Sequence, residues 1–584
     1  MIKKLVQSLR EYTGQTWATV GLSGLEVVFE ILIPLCMADL IDQGIQQGDM
    51  AAVWRFGAIL LALAVAEMAT GFGSAYFAAH SAAGFSANLR QDMYDDVQGF
   101  AFSNIDRFSV SSIVTRLTTD VTNVQNAMSM LTRLAIRGPL MMVFAMVASF
   151  SISRSISLVF LALIPVMGVL LYLIVRRSHP IFQRVFNIYD QLNGQVQEDV
   201  KGIRVVKAFV QEDAQVERFD AISQHVYEQF AQAERLMAFN SPIMQTSMYV
   251  CMILIAWFGS QAIVASGNDA ALGLTTGDLT ALISYAMQIL TSLMMLSMVF
   301  VMITIARSSG ERIVELLDEK SDIVSPADGA TAVADGSIDF EHVDFRYNAD
   351  SAGKVLDGID LHVASGQTIG ILGPTGSAKS TLVQLIPRLY DVSAGTLKVG
   401  GVDVRRYDLD TLRQAVAMVL QKNELFSGTV RDNLRWGNLD ATDQQLGEAC
   451  RTACADEFIA AMPQGYDTVI EQGGTNVSGG QKQRLCLARA LLKKPKVLIM
   501  DDSTSAVDTR TDAQIQANMK AYLPQATKIV IAQRVSSVQT ADQILVMDNG
   551  RIAAIGTHQQ LLASNEMYRS IYESQNKKED EHHG

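Results

Sequence analysis

A loop rich in glycine and small residues is the clearest candidate for chemistry in this sequence. It follows the apolar run TIGIL and consists of Gly373, Pro374, Thr375, Gly376, Ser377, Ala378, Lys379, Ser380 and Thr381. The next residues, LVQLIPRLY, have a helical pattern. Backbone N–H groups and a helix N-terminus surround phosphates in such loops, Lys379 adds a positive charge, and the Ser380 hydroxyl can bind Mg²⁺. The sequence therefore predicts a phosphate-binding loop.

Two further motifs follow this loop in a fixed order. The run NVSGGQKQR begins at Asn476, and a later apolar strand, VLIMD, ends at Asp501. The order of phosphate loop, SGGQ and Asp-ending strand resembles the ABC ATPases. Six apolar segments precede these motifs, and together they resemble the ABC exporter half-transporters from Met1 to about Asn576.

This resemblance implies ATP and Mg²⁺ as cofactors. It implies that Tyr347 stacks on adenine and that Gln421 contacts both the metal and the membrane domain. An ordinary strand aromatic and an exposed polar residue are the alternatives for these two positions. The Mg²⁺ ligands implied are Ser380, Gln421 and Asp501.

The SGGQ run is implied to act on a second chain. In the family two ATPase domains sandwich two ATPs, and each site combines the phosphate loop of one chain with the signature of the other. The signature residues here are Ser478, Gly479, Gly480 and Gln481. The resemblance thus implies a partner half-transporter.

Three positions of the nucleotide pocket depart from the family pattern. Ala378 stands where a Gly is expected before the Lys, Asp502 where a Glu polarises water, and Gln533 where a switch His is expected. Asp is one methylene shorter, and displacing a general base by about 1 Å can cost on the order of a hundredfold in rate. Gln cannot become cationic as His can. Three unrelated, tolerated substitutions are the alternative to a degenerate, slow site.

With an intact signature, the pattern resembles the degenerate subunit of heterodimeric bacterial multidrug exporters. That resemblance implies a heterodimer whose second chain carries the catalytic Glu and the switch His. It also implies a multi-pass protein of the bacterial plasma membrane.

The composition indicates that part of the chain lies in a membrane. The chain has 584 residues, 18% of them charged, and a net charge of −13, which argues against a nucleic-acid partner. Apolar segments near the roughly 20 residues of a spanning helix run over Trp17–Leu40, Trp54–His80, Leu134–Ser151, Ile156–Val175, Met244–Ser266 and Leu279–Ile305. Basic residues cluster on one side of these spans, which predicts cytoplasmic termini and a cytoplasmic ATPase domain.

The predicted fold is an all-α transmembrane domain of six helices with long cytoplasmic helical extensions, fused to an α/β P-loop ATPase domain with a helical subdomain. We expect the transmembrane domain over residues 1–320, a small polar linker over 321–336, the ATPase domain over 337–576 and a charged tail over 577–584. The connections Ser81–Arg133 and Arg176–Ile243 are expected to be the helical extensions, with one helix through Val205–Phe219. Predicted strands of the ATPase domain are SIDFEHVDFRY, TIGILG, AVAMVL, VLIMD, KIVIA and QILVMD.

Charged and soft side chains in the spans bear on what is transported. Glu26, Glu30 and Glu67 lie in apolar segments, where they either attract cationic amphiphiles or form hydrogen bonds between helices. Met294 and Met298 suit a promiscuous apolar surface but are also ordinary lipid-facing residues. The function predicted is ATP-driven export of hydrophobic or amphipathic compounds, with a non-pumping, nucleotide-gated or channel-like subunit as the alternative.

Overall fold

The computed structural model describes residues 1–269, 273–348, 353–503 and 506–582. The chain divides into two compact units. The first contains Met1–Gln98 and Val110–Glu319, and the second contains Gly99–Ser109 and Lys320–Gly584.

Among its described residues, the first unit consists of helices joined by short connections and contains no strand. Its helices are α1 (Ile2–Gln7), α2 (Thr13–Asp39), α3 (Met50–Gln98), α5 (Val110–Thr115), α6 (Val121–Ile152), α7 (Arg154–Ala208), α8 (Glu212–Met237), α9 (Asn240–Ser266) and α10 (Thr276–Asp318), while α4 (Phe102–Phe108) belongs to the second unit. Among the described residues, six helical segments are long and apolar enough to cross a membrane. Each predicted span lies within a helix of this series, except that Trp17–Leu40 extends one residue past the end of α2, so the six-span prediction is confirmed.

The connections predicted to be helical extensions are helical, with one correction. Helices α3 and α7 continue well past their apolar parts, as expected. The single helix expected over Val205–Phe219 is wrong, because α7 ends at Ala208 and α8 begins at Glu212. Val210 has a φ of +53°, a left-handed conformation that a β-branched residue rarely adopts and that no α-helix contains.

The second unit is an α/β domain. Its strands are β1 (Ile338–Phe345), β2 (Leu356–Val363), β3 (Thr368–Leu372), β4 (Ala394–Val399), β5 (Val402–Asp403), β6 (Val416–Val419), β7 (Gly428–Thr429), β8 (Val469–Ile470), β9 (Val497–Asp501), β10 (Thr527–Ile531), β11 (Gln543–Asp548) and β12 (Arg551–Gly556). Its remaining helices are α11 (Lys379–Gln384), α12 (Leu409–Ala415), α13 (Val430–Arg435), α14 (Asp443–Thr452), α15 (Asp456–Ala461), α16 (Gly479–Leu492), α17 (Thr509–Tyr522), α18 (His558–Ser564) and α19 (Glu566–His582). The predicted fold class is confirmed.

One sheet positions the predicted nucleotide motifs. Within the described residues its strand order is β12-β11-β3-β10-β9-β6, with β12 antiparallel and the other five strands parallel. Strands β9 and β10 are buried along their whole length, which explains the apolar runs VLIM in β9 and IVI in β10. A second sheet, in the order β2-β1-β4-β5, is antiparallel.

Candidate functional site

Three adjacent parallel strands bring the predicted pocket residues to one edge of the sheet. Strand β10 lies between β3 and β9, and Ile531 of β10 pairs with both Ile371 of β3 and Asp501 of β9. The glycine-rich loop leaves β3 at this edge, and Gln533 follows β10. Ligands of open α/β sheets bind outside the carboxyl ends of the strands, so this edge is the candidate site.

The side chain of Lys379 folds back onto the glycine-rich loop that precedes it. Lys379 Nζ donates hydrogen bonds to the carbonyl oxygens of Gly373 and Pro374 at 2.9 and 2.8 Å. It also lies 3.3 Å from Ser377 Oγ. Burial lowers the pKa of the Lys379 ammonium, and the nearby charges of Asp501 and Asp502 oppose that shift. The lysine therefore occupies the hollow of the loop, at the start of α11.

Ala378 has a left-handed backbone with a φ of +69°. A Cβ in this conformation costs roughly 1–2 kcal/mol, which Gly avoids. The folded loop is therefore strained at Ala378, the position where the family pattern has Gly.

We expect Ala378→Gly to raise the melting temperature of the protein slightly, or at least not to lower it. The released strain exceeds the roughly 0.5–1 kcal/mol by which Gly favours the unfolded chain. The control is Ala513→Gly at an exposed position in α17, where the same change should lower stability by about 1 kcal/mol. The melting temperatures of the two purified variants are measured by thermal unfolding. If both variants were destabilised equally, the strained conformation at Ala378 would be contradicted.

The carboxyl ends of β9 and β10 carry the acidic and amide groups of the site. Asp501 is 3% exposed; burial raises the pKa of its carboxyl group, and a hydrogen bond with Ser380 opposes that rise. Asp502 has a φ of +51°, and its carboxylate Oδ2 accepts a hydrogen bond of 2.7 Å from Gln533 Nε2. The two positions that depart from the family pattern are thus in direct contact.

A glutamine from the C-terminal helix holds the segment that carries Gln533. Gln575 Nε2, on α19, donates to the Gln533 carbonyl at 2.8 Å, and Gln575 Oε1 accepts from the Val535 backbone N–H at 2.9 Å. The sequence analysis missed Gln575, because only tertiary packing brings a residue of α19 to this segment.

Tyr347 lies beside the helix that follows the glycine-rich loop. Its hydroxyl is 2.9 Å from Thr381 Oγ1, and its ring makes an edge contact with Tyr390 at 5.2 Å between centroids. Tyr390 in turn donates to Asp106 Oδ2 at 2.8 Å, and Asp106 lies on α4 of the same compact unit. Half of the Tyr347 side chain remains exposed. Nothing in the sequence indicated that Tyr390 and Asp106 would lie next to Tyr347.

Gln421 lies at the same edge of the sheet as the pocket. It follows β6, which pairs with β9 through Val419 and Met500, and it is exposed. The structure therefore brings Gln421 to the same sheet edge as Asp501.

The SGGQ residues form the N-terminus of α16. Ser478 Oγ accepts from the Gln481 N–H at 3.3 Å, and Gln481 Oε1 accepts from the Ser478 N–H at 2.9 Å, a reciprocal capping box. A Cβ on Gly480 would lie 2.8 Å from the Ala506 carbonyl oxygen, so the fold requires glycine there. Among the described residues, a Cβ on Gly479 would meet only Ala506 Cβ, at an ordinary 3.7 Å. The packing of this chain therefore leaves room for a side chain at Gly479.

Acidic residues of the spans lie next to arginine side chains and form ion pairs with them. Arg137 on α6 binds Glu26 Oε1 at 3.0 Å and Glu30 Oε2 at 2.7 Å, both on α2. Glu67 on α3 lies within electrostatic range of these groups. Hydrogen bonding between helices, one of the two alternatives for Glu26 and Glu30, is therefore present. The sequence analysis did not identify Arg137 as their partner. Met294 and Met298 on α10 are exposed.

Comparisons with known proteins agree with this architecture. Residues 17–294 match the family model for the ABC transporter transmembrane region, and residues 356–505 match the ABC transporter model. The chain is 35% identical over 574 residues to the ABC transporter ATP-binding protein YfiB of Bacillus subtilis, covering 98% of each protein. It is 32% identical over 521 residues to a fatty acid ABC transporter ATP-binding/permease protein of Mycobacterium tuberculosis, covering 89% of this chain and 81% of that one.

A solved structure shares the fold. A bacterial Atm1-family ABC exporter with ATP bound aligns with a TM-score of 0.77 at 24% identity, over 97% of this chain and 99% of that one. The sheet edge, the two family regions and the full-length relatives lead to one conclusion: the chain belongs to the ABC transporter family, as a half-transporter of the exporter type in which a six-span membrane domain is fused to an ABC ATPase domain.

Proposed function

We propose that this chain is the degenerate-site subunit of a heterodimeric exporter in a bacterial plasma membrane. Its own pocket binds ATP and turns it over slowly, and its signature completes the fast site of a partner half-transporter that has the catalytic Glu and the switch His. Both termini and the ATPase domain are cytoplasmic. The cargo is a hydrophobic or amphipathic compound.

The contact between Asp502 and Gln533 carries the slow-site proposal. A general base must reach the attacking water, and the Asp carboxylate is one methylene shorter than Glu. One of its oxygens already accepts the Gln533 amide at 2.7 Å. That amide donates a hydrogen bond but takes up no proton, so it stabilises the carboxylate without the positive charge that a His can add.

The pocket fits ATP and Mg²⁺. Mg²⁺ binds oxygen ligands, and the Ser380 hydroxyl is hydrogen-bonded to the buried Asp501 carboxylate. Gln421 adds an amide oxygen at the same sheet edge, and Lys379 is available to pair with phosphate once its bonds to the loop carbonyls are exchanged. Tyr347 presents a half-exposed ring for adenine. When bound, Mg²⁺ supplies charge neutralisation and orientation of the phosphates.

The signature supports a role toward a second chain. Helix α16 has 14 residues, and its N-terminus favours an anion. The packing of the described residues does not require glycine at 479, since a Cβ there meets only an ordinary contact among them. Close approach of another molecule, such as the γ-phosphate of the partner's ATP, explains a glycine at this position.

The proposal of an amphipathic cargo is supported by residues of the membrane domain and by the name of a similar protein. The fatty acid transporter named above is a similar protein with an amphipathic cargo. Glu26, Glu30, Glu67, Met294 and Met298 would line the substrate path, with the exposed methionines providing adaptable apolar contacts.

Isolation of the protein with its companion tests the proposal. We expect the companion chain to carry Glu and His at the two positions where this chain has Asp502 and Gln533. The isolated chain should hydrolyse ATP on the order of a hundredfold more slowly than the complex, which is the cost of a base displaced by about 1 Å. ATPase assays of both preparations measure this ratio. Equal rates would overturn the slow-site proposal, and nucleotide-dependent opening without turnover would favour the channel-like alternative.

A further inference from the structure

The connection that follows β10 is short and irregular. It runs over residues 532–534 to a 3₁₀ turn at Val535–Ser537, and the Gln533 side chain is exposed. Among the described residues, the carbonyl of Gln533 and the backbone N–H of Val535 have no hydrogen-bond partner other than Gln575 on α19. One side chain therefore fixes the backbone of this connection at two neighbouring points.

An amide side chain matches these two backbone groups. A carbonyl oxygen accepts and an N–H donates, so the side chain between them has to offer one donor and one acceptor. Gln575 does so, with Nε2 2.8 Å from the Gln533 oxygen and Oε1 2.9 Å from the Val535 nitrogen. A carboxylate of the same length would supply only the acceptor, and a thioether at most a weak one. The contact therefore depends on the chemical type of residue 575.

The helix that carries Gln575 is anchored independently of this contact. Tyr568, near the start of α19, is fully buried, and its hydroxyl lies 2.7 Å from His558 Nδ1 on α18. Ile571 and Tyr572 of α19 pack against the hydrophobic core of the domain. We therefore expect α19 to stay docked when Gln575 is substituted.

The contact reaches the reacting groups through Gln533. Its Nε2 donates to Asp502 Oδ2 at 2.7 Å, and Asp502 stands where the family pattern has the general base. The Gln533 amide can hold that bond only while its own backbone is kept in place. At the other end of the turn, the Ser537 hydroxyl donates separately to Asp512 Oδ2 on α17, at 2.6 Å. The part of the connection that depends on Gln575 is therefore the part that carries Gln533.

We propose that Gln575 is a positioning residue for ATP hydrolysis at the pocket of this chain. It fixes the Gln533 backbone and, through the Gln533 amide, the Asp502 carboxylate. The inference rests on the hydrolysis proposed above for this pocket and applies whether that hydrolysis is slow or fast. Because Gln575 acts through Gln533, its loss should change the rate of the chemical step without weakening nucleotide binding.

The test compares Gln575→Met and Gln575→Glu with the wild type in the assembled complex, with the partner site inactivated. Gln575→Met keeps the size of the side chain but loses both hydrogen bonds, whereas Gln575→Glu loses only the donor to the Gln533 carbonyl. We expect both variants to lower the single-turnover rate of ATP hydrolysis about tenfold, because misplacing a reacting group by about 1 Å can cost on the order of a hundredfold. The Kd for ATP and the melting temperature should not change. Amide hydrogen exchange at Val535 should become faster in Gln575→Met but not in Gln575→Glu.

The matched control is Gln559→Met, at an exposed position on α18, which should leave the rate and the exchange unchanged. A rate at or above that of the wild type in either Gln575 variant would overturn the inference. So would a loss of rate that is matched by weaker nucleotide binding or by a lower melting temperature.

The same measurements are repeated with Asp502→Glu and Gln533→His in the background, since Gln575 binds the backbone at position 533 and not its side chain. A pocket that hydrolyses no ATP in either background would overturn the proposed function. Faster exchange at Val535 in Gln575→Met would then still support the positioning role, and unchanged exchange would overturn it.

Discussion

Replacing Gly479 with Asp should abolish ATP hydrolysis by the assembled transporter, with a loss of at least about a hundredfold. The substitution places a bulky negative group at the N-terminus of α16, where the proposed function locates the γ-phosphate of the partner's ATP. Like charges repel there, and a displacement of about 1 Å is enough for a loss of this size. The fold should tolerate the change, because an acidic residue in the first turn of a helix is favourable and a Cβ at Gly479 has room.

Two variants make this result specific. Gly447→Asp introduces the same group on α14 of the same domain, where a Cβ would meet only the end of the Arg451 side chain at 3.3 Å, and its activity should be retained. Lys379→Ala should weaken nucleotide binding in this chain yet leave measurable turnover, because the fast site takes its lysine from the partner. ATPase assays of the purified pair measure all three. A complex silenced by Lys379→Ala but tolerant of Gly479→Asp would make the pocket of this chain the working one.

The parallel core of the ATPase domain was predictable because its strands are buried on both faces. Strands β9 and β10 have five residues each, all buried and mostly apolar, and the runs VLIMD and KIVIA identify them directly. Strand β2, LDGIDLHV, and edge strand β12, RIAAIG, were missed. In β2 the buried apolar residues Ile359, Leu361 and Val363 alternate with exposed polar ones, a half-buried strand pattern that was overlooked. Strand β12 has no buried residue and ends in glycine, so its signal is weaker.

The helical extensions show the limit of periodicity. The apolar spacing in VVKAFVQEDAQVERF continues across Val210, so the pattern does not reveal that the chain leaves the α-helical conformation there. The break depends on how α7 and α8 pack against each other, which is not encoded in local spacing.

In the candidate site, motifs identified the residues but not their contacts. The order of Lys379, Ser478 and Asp501 along the chain was enough to recognise the type of site. The hydrogen bond between Asp502 and Gln533 joins positions 31 residues apart, and Gln575 reaches the Gln533 carbonyl from 42 residues away. Arg137 was missed for the same reason, since its partners lie 107 and 111 positions earlier in the chain.

We expect the double variant Asp502→Glu and Gln533→His to hydrolyse ATP at the site of this chain about tenfold faster than the wild type. The added methylene moves the carboxylate toward the attacking water, and the imidazole can carry a proton, which the Gln533 amide does not. A full hundredfold is not expected. Position 502 has a left-handed backbone with a φ of +51°, which Asp tolerates better than Glu, so part of the gain is lost to strain.

Single-turnover ATP hydrolysis in a complex whose partner site has been inactivated measures this gain. Each single change should give less than the double variant, because the two side chains are in direct contact and their effects are coupled. The matched control is Asp440→Glu with Gln444→His, the same two chemical changes at exposed positions near the start of α14, which should leave the rate unchanged. If the double variant hydrolyses ATP no faster than the wild type, the slow step at this pocket does not lie in the Asp502–Gln533 pair, and the strained Ala378 loop becomes the remaining departure able to limit it.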